Sequence, residues 1–275
     1  MLLHDHGGFY YFGKEKMLEN DHEPPILTAF RQKLYADGPV APILARLGYV
    51  VLTIDAFYFG ARRLDPANLP PPKAAPVSAL PAGSDELIRE SNKLAGTYES
   101  LVAKTVFMSG TTWPGILLWD DLRTVDYLQT RPEVNRERIG CFGLSLGGFR
   151  SSFLAAFHPK IRSSVICCFM STFPSMLRND VEHHTWMAYV PGGAEVMDLP
   201  DFASLAAPNY LLVQYGLQDP LFPLDGKQAS AKKIKSVFEK ANVPERMEAK
   251  FYDAPHMVSH EMGADAVTWF ERTLG

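Results

Sequence analysis

Residues 139–157, IGCFGLSLGGFRSSFLAAF, change hydrophobic period in the middle of one apolar run. Up to Leu144 the run is short and continuous, as a buried strand is; from Leu146 the apolar residues recur with helical spacing. Only Ser145 separates the two, with Gly143 and Gly147 two positions away on either side. A strand that gives way to a helix within one residue must reverse abruptly. The Ser145 backbone is therefore expected to be strained, and side chains at either glycine would collide across the turn. The hydroxyl would stand out at the carboxyl edge of a sheet. The amide of Leu146, in the first helical turn, would be free to donate to an anion.

The rest of the chain repeats the alternation. Strand-like runs occupy 49–55, 138–144, 163–170, 209–216 and 247–253, with MLLH at 1–4 as the end of another; helical patterns fall near 26–36, 39–47, 85–107, 115–129, 146–157, 226–241 and 259–273. This order predicts an α/β fold, a mainly parallel sheet flanked by helices on both faces. About six strands are readable. Because MLLH reads as the tail of a strand, the amino-terminal strands that would normally precede it are expected to be missing, and the open sheet edge left there would pair with a second copy, a route to a homodimer. One domain over 1–275 is expected, with two insertions. The proline-rich stretch 62–84 has no period and should run extended over the surface; the segment 171–207 is far longer than a crossover needs and should cap the sheet edge.

Charge excludes some functions. Lys+Arg number 27 against 31 Asp+Glu, a net charge of -4 without long runs of one sign, so neither nucleic acid nor an anionic membrane is an expected partner. No apolar stretch reaches the ~18 residues of a membrane span, and the amino terminus does not read as a secretion signal. Cys141, Cys167 and Cys168 lie in apolar runs, an odd set ill suited to disulfides, which favours a reducing, cytoplasmic location.

A serine at such a turn becomes a nucleophile only with a base and an orienting acid. LQDPLFP puts Asp219 just past the strand at 209–216, and APHMVS puts His256 just past the strand at 247–253. The order Ser145, Asp219, His256 suits a triad in which His256 takes the serine proton and Asp219 holds the imidazole. Asp225 and Asp253 are alternative acids and His260 an alternative base. After MLLH comes HDHGG, a glycine-containing loop at a strand end, where a second oxyanion donor is expected from His6 or Gly7. His4, Asp5 and His6 also have the spacing of a metal site, but no third histidine accompanies them convincingly, and no metal or other cofactor is expected.

These residues resemble the α/β-hydrolase superfamily. Within the resemblance, WDDLRTVDYLQTRPEVNRERIGCFGLSLGG (119–148) and DLPDFASLAAPNYLLVQYGLQDPLFP (198–223) are similar to the bacterial group labelled dienelactone-hydrolase-like or acetyl-xylan-esterase-like. The resemblance implies Ser145 as nucleophile, Asp219 as acid, His256 as base and Leu146 as one oxyanion donor. In related acetyl esterases the second donor follows a His-Gly pair; here HDH stands at that place and points to His6, with Gly7 as alternative. Dienelactone hydrolases use a cysteine nucleophile, so serine at 145 favours ester over lactone chemistry. The expected function is a carboxylic ester hydrolase for small acyl esters, with acetylated sugars as one candidate class; a peptidase or amidase, a lactone hydrolase and a non-catalytic binding protein are the alternatives. Phe57, with Tyr58 and Phe59, and the cap residues Phe173, Met176, Leu177, Trp186, Met187 and Tyr189 are candidate pocket walls. Arg178, His183 and His184 are candidates to hydrogen-bond a polar alcohol.

Overall fold

The computed structural model describes residues 1–36, 38–179 and 181–275, without the side chains of Arg178 and Asn179. Five parallel strands, β1 (Leu2–Leu3), β2 (Ile139–Leu144), β3 (Ile161–Cys167), β4 (Tyr210–Gly216) and β5 (Met247–Tyr252), lie side by side in chain order. Each strand therefore needs a crossover. Helix α6 (Leu146–Phe157) links β2 to β3 and α10 (Leu224–Lys240) links β4 to β5, while α11 (His260–Leu274) closes the chain.

Alternating strand side chains divide between two cores, as the two-residue period requires. Cys141, Ile166, Leu211, Val213 and Tyr215 pack with α6, α10 and α5 (Trp113–Thr130); Phe142, Leu144, Val165, Cys167 and Leu212 pack with α11, α1 (Pro25–Leu34) and α2 (Val40–Arg46). Burial on both faces explains why the strands read as continuous apolar runs.

Two sequence expectations change. Residues 49–55 do not form a full strand: Leu52 accepts from the Leu2 amide at 2.9 Å and Thr53 forms a single bridge to Leu2. A ladder is only as long as its shorter member, and β1 has two residues. The proline-rich insertion is not fully extended. It contains helix α3 (Pro71–Ser78), which starts on two prolines; their fixed φ and missing N–H suit the first turn, where amides have no helical acceptor.

Helix α4 (Asp85–Met108) follows, capped by Ser84, whose hydroxyl accepts from the Leu87 amide. The segment 171–207 carries α7 (Phe173–Asn179), α8 (Gly193–Val196) and α9 (Leu199–Ser204), joined by single turns, and α9 begins in a reciprocal Asp198/Asp201 capping box. No helix among the described residues is long and apolar enough to cross a membrane.

Candidate active site

Ser145 is the one-residue hinge between β2 and α6, with φ 58° and ψ -121°. An L-residue is held there only when its surroundings dictate it. The surroundings are tight: a Cβ on Gly143 would lie 2.1 Å from the Gly147 carbonyl, and one on Gly147 would lie 1.9 Å from the Leu3 carbonyl oxygen. The Ser145 amide donates to Cys167 O at 2.9 Å, tying the turn to the end of β3. Helix α6 is anchored from behind by Arg150, whose guanidinium grips Asp121 of α5 with two bonds of 2.9 and 2.6 Å, both side chains buried. Leu146 is the first residue of α6, so its amide has no acceptor within the helix.

Asp219 and His256 follow β4 and β5, at the same edge of the sheet as Ser145. Their loops are laced together: the Leu217 amide donates to Tyr252 O at 2.8 Å and the Gln218 amide to Ala254 O at 3.0 Å. His256 Nδ1 lies 2.7 Å from Asp219 Oδ2, while Asp219 Oδ1 accepts from the Leu221 amide at 2.9 Å. A carboxylate only accepts, so Nδ1 carries the proton and the neutral ring keeps its lone pair on Nε2. Burial alone would lower the His256 pKa; the hydrogen bond and charge of Asp219, helped by Cys168 and Asp5, outweigh it and raise the pKa. The alternative acids have other partners. Asp225, in the first turn of α10, accepts from Ser175, and exposed Asp253 accepts from Gln218. His260 begins α11 and lines an apolar cavity with Tyr35 and Leu44.

The loop after β1 separates its three polar side chains instead of gathering them around a common point. The Ala56 amide donates to His4 Nε2 at 3.0 Å, Tyr35 donates to Asp5 at 2.6 Å, and His6 Nε2 lies 3.0 Å from Glu99. Gly7 and Gly8 both have positive φ, and a Cβ on Gly7 would meet the Phe30 ring at 2.5 Å.

Three residues that the sequence reading passed over hold these loops. Lys16, fully buried between the Phe30 and Phe59 rings, donates to Asp5 O at 2.8 Å and His6 O at 3.0 Å, and burial pushes its pKa down to about 8. Lys227, also buried, does the same for the acid loop, donating to Gly216 O at 2.7 Å and Asp219 O at 2.9 Å. Glu99 joins the loop after β1 to the segment 171–207. It accepts from Tyr10 at 2.5 Å, from the Thr185 hydroxyl at 2.6 Å and from the Trp186 amide at 2.9 Å, besides its contact with His6. The signal for Glu99 was present: on α4 it shares the buried stripe of Ile88, Ala95 and Val106, where a charge needs partners. Lys16 and Lys227 sit in no pattern that sets them apart from surface lysines.

The candidate pocket walls scatter. Phe57 is half-buried, edge-on to Trp113 and beneath Arg62. Trp186 is 51% exposed beside Glu99, whereas Met187 is completely buried in the core, which makes it a packing residue. His183 is exposed next to Glu182, and His184 reaches the acid loop through Leu221 O at 2.9 Å. The Arg178 side chain lies outside the described residues.

This architecture superposes on the crystal structure of a "putative acetyl xylan esterase" from Bacteroides fragilis with a TM-score of 0.66, over 92% of this chain and 58% of that one, at 16% identity. The chain has the α/β-hydrolase fold. Within that fold Ser145 occupies the strand-to-helix elbow, and Asp219 and His256 follow the last two strands. A marine metagenomic structure described as a promiscuous CE15 esterase superposes with a TM-score of 0.50 over 60% of this chain and 49% of its own, at 13% identity. In sequence, "Putative hydrolase YtaP" of Bacillus subtilis is 27% identical over 239 residues, 86% of this chain and 66% of that protein. Residues 123–196, from α5 through the elbow to α8, match the family described as BAAT / Acyl-CoA thioester hydrolase C terminal. The chain thus spans less than two thirds of the length of YtaP and of the Bacteroides protein.

Proposed function

We propose that this chain is a serine carboxylic ester hydrolase acting on small acyl esters through a covalent acyl-enzyme, with Ser145 as nucleophile, His256 as general base and Asp219 as the acid that orients it. The observation that carries the reading is Ser145 at φ 58° on the elbow, with the bonded Asp219–His256 pair at the same sheet edge. Neutral His256 takes the Ser145 proton as the hydroxyl oxygen attacks the acyl carbon, and the resulting imidazolium is stabilised by Asp219. The tetrahedral oxyanion accepts from the Leu146 amide and from His6, with Gly7 as the alternative donor. The proton then passes to the departing alcohol, and water repeats the cycle on the acyl-enzyme.

Acetyl esters of sugars are the first substrates to examine, because the Bacteroides protein of the same fold is described as a "putative acetyl xylan esterase". Phe57, Phe173, Leu177, Trp186 and Tyr189 are the candidate walls that retain exposed surface. A second reading, thioester cleavage by the same triad, is favoured by the family match over 123–196, which includes the elbow.

The test is labelling with a fluorophosphonate probe together with rates on p-nitrophenyl acetate, acetylated xylo-oligosaccharides and acetyl-CoA, for the wild type and Ser145→Ala. The reading requires labelling and turnover that vanish in the variant. Equal labelling of both proteins removes Ser145 as nucleophile, and a preference for acetyl-CoA selects the second reading.

A further inference from the structure

Cys168 stands one residue beyond β3, between the strand that ends at Ser145 and the strand that ends at Asp219, and its backbone turns through φ 47°. That turn brings the thiol to the acid-base pair. Its Sγ, a carboxylate oxygen of Asp219 and a ring nitrogen of His256 all lie within 4.8 Å of one another, and among the described residues this is the group placed to share a metal ion. The surroundings add sulfur. Cys167 Sγ is 3.9 Å from Cys168 Sγ and 3.9 Å from Met262 Sδ.

We propose that Cys168, Asp219 and His256 form a binding site for a thiophilic divalent cation, Zn2+ or Cd2+, whose occupation switches off the hydrolysis proposed above. The inhibitory half rests on that reading of the triad; the binding half does not. A thiolate, an imidazole and a carboxylate are a usual zinc donor set, and three protein ligands leave a fourth position for water. In a tetrahedral shell with bonds of about 2.0–2.3 Å the ligand atoms stand about 3.3–3.8 Å apart, so the widest gap here closes by a side-chain movement of about 1 Å. Hard cations fit poorly: Mg2+ and Ca2+ prefer six or more oxygens, and sulfur selects softer ions. The side chain of His256, 16% exposed, marks the route of entry from solvent. On binding, the Cys168 thiol gives its proton to solvent, the metal sheds waters, and the carboxylate oxygen and an unprotonated ring nitrogen become ligands; a metal on Nδ1 displaces that proton to Nε2 through solvent, and a metal on Nε2 takes its lone pair directly. His256 is then held by the metal and cannot accept the serine proton. Lys227, the neighbouring cation, already donates to the carbonyls of Gly216 and Asp219, which keeps its ammonium directed at the backbone.

The experiment titrates Cd2+ into the whole chain and follows the thiolate-to-cadmium charge-transfer absorbance, in parallel with p-nitrophenyl acetate hydrolysis. Wild type, Cys168→Ala and the near-isosteric Cys168→Ser are compared, with Mg2+ as control. The proposal requires a saturable absorbance in the wild type, inhibition over the same concentration range that a chelator reverses, no response to Mg2+, and a loss of Cd2+ affinity of at least about tenfold in both variants, since even outer-shell partners of a metal are worth that much. Wild-type Cd2+ affinity in either folded variant, or no charge-transfer band in the wild type, overturns it. Cys168-dependent binding by a protein without esterase activity upholds the site and removes the esterase reading instead. Active enzyme that binds Cd2+ without inhibition overturns the switch.

Discussion

Replacing Glu99 by alanine tests whether the segment 171–207 and the loop after β1 are one mechanical unit. Its carboxylate takes hydrogen bonds from Tyr10, Thr185 and the Trp186 amide and contacts His6. Trp186 and its neighbours lie near solvent and water can replace their partner, but the Tyr10 hydroxyl is buried and would be left unpaired, at a cost of about 1–3 kcal/mol. The acidity of the carboxyl gives a second figure for the same contacts. Burial alone would raise the Glu99 carboxyl, yet bonds and charge from His6 and bonds from Thr185 and Tyr10 lower it from 4.5 to about 2. That difference corresponds to about 3 kcal/mol of preference for the ionised form in the folded state. Because the folded pKa is depressed, this stability is present above pH 4.5 and is lost as pH falls toward 2. Glu99→Ala is therefore expected to lose about 2–4 kcal/mol in urea unfolding near pH 7, a difference that shrinks as pH falls below the unfolded-state value. Glu99→Gln, which keeps an acceptor for Thr185 and Trp186, should lose less. If the His6 loop supplies an oxyanion amide, the alanine variant should also lose kcat on p-nitrophenyl acetate by more than its KM rises. An alanine variant within about 0.5 kcal/mol of wild type, with unchanged kcat, would refute the coupling.

Three further outcomes follow from the same geometry. Gly147→Ala places a methyl 1.9 Å from the Leu3 carbonyl oxygen, so thermal or urea unfolding should show a loss of about 3 kcal/mol or more, with activity abolished; a stable, active variant contradicts the elbow packing. The rate of ester hydrolysis should rise with pH and reach half its plateau above the ordinary histidine value of 6.5, since His256 must be neutral to accept a proton and its folded pKa is raised; a flat profile between pH 5 and 8 excludes it as base. By linkage, the Asp219–His256 bond contributes stability that is full below 6.5 and fades as pH climbs through the raised value. Lys227→Met leaves the buried carbonyls of Gly216 and Asp219 without a donor and should cost about 2–4 kcal/mol, with a fall in kcat from a loosened acid loop; unchanged stability shows that water replaces the ammonium.

What could be read in advance follows from how locally each feature is encoded. The elbow was legible because strand, turn and helix lie within nineteen consecutive residues, and its two glycines have no alternative that fits. Most helices begin and end within two residues of their periodic patterns, which caps such as Ser84 and Ser259 announce. Residues 49–55 misled because β-propensity says nothing about whether a partner strand is long enough to pair with. The proline-rich insertion misled because two prolines open α3, where a fixed φ and a missing N–H suit the first turn, and this eight-residue helix also accommodates Pro76. Met187 looked like pocket lining because apolar residues in a cap and in a core are alike in sequence; only three-dimensional packing separates them. The deepest omissions, Lys16 and Lys227, are lysines whose ammonium groups bind backbone carbonyls. Such carbonyls leave no mark on composition or period.

The central claim is that an acyl group passes through Ser145. Quenching a reaction with p-nitrophenyl acetate in acid within the first turnovers, followed by peptide mass analysis, reads this directly. An acetyl group on the Ser145 hydroxyl in the peptide spanning 139–157, absent from Ser145→Ala, is the predicted result. Turnover with the acetyl group on another residue, or an equally active Ser145→Ala enzyme, would contradict it.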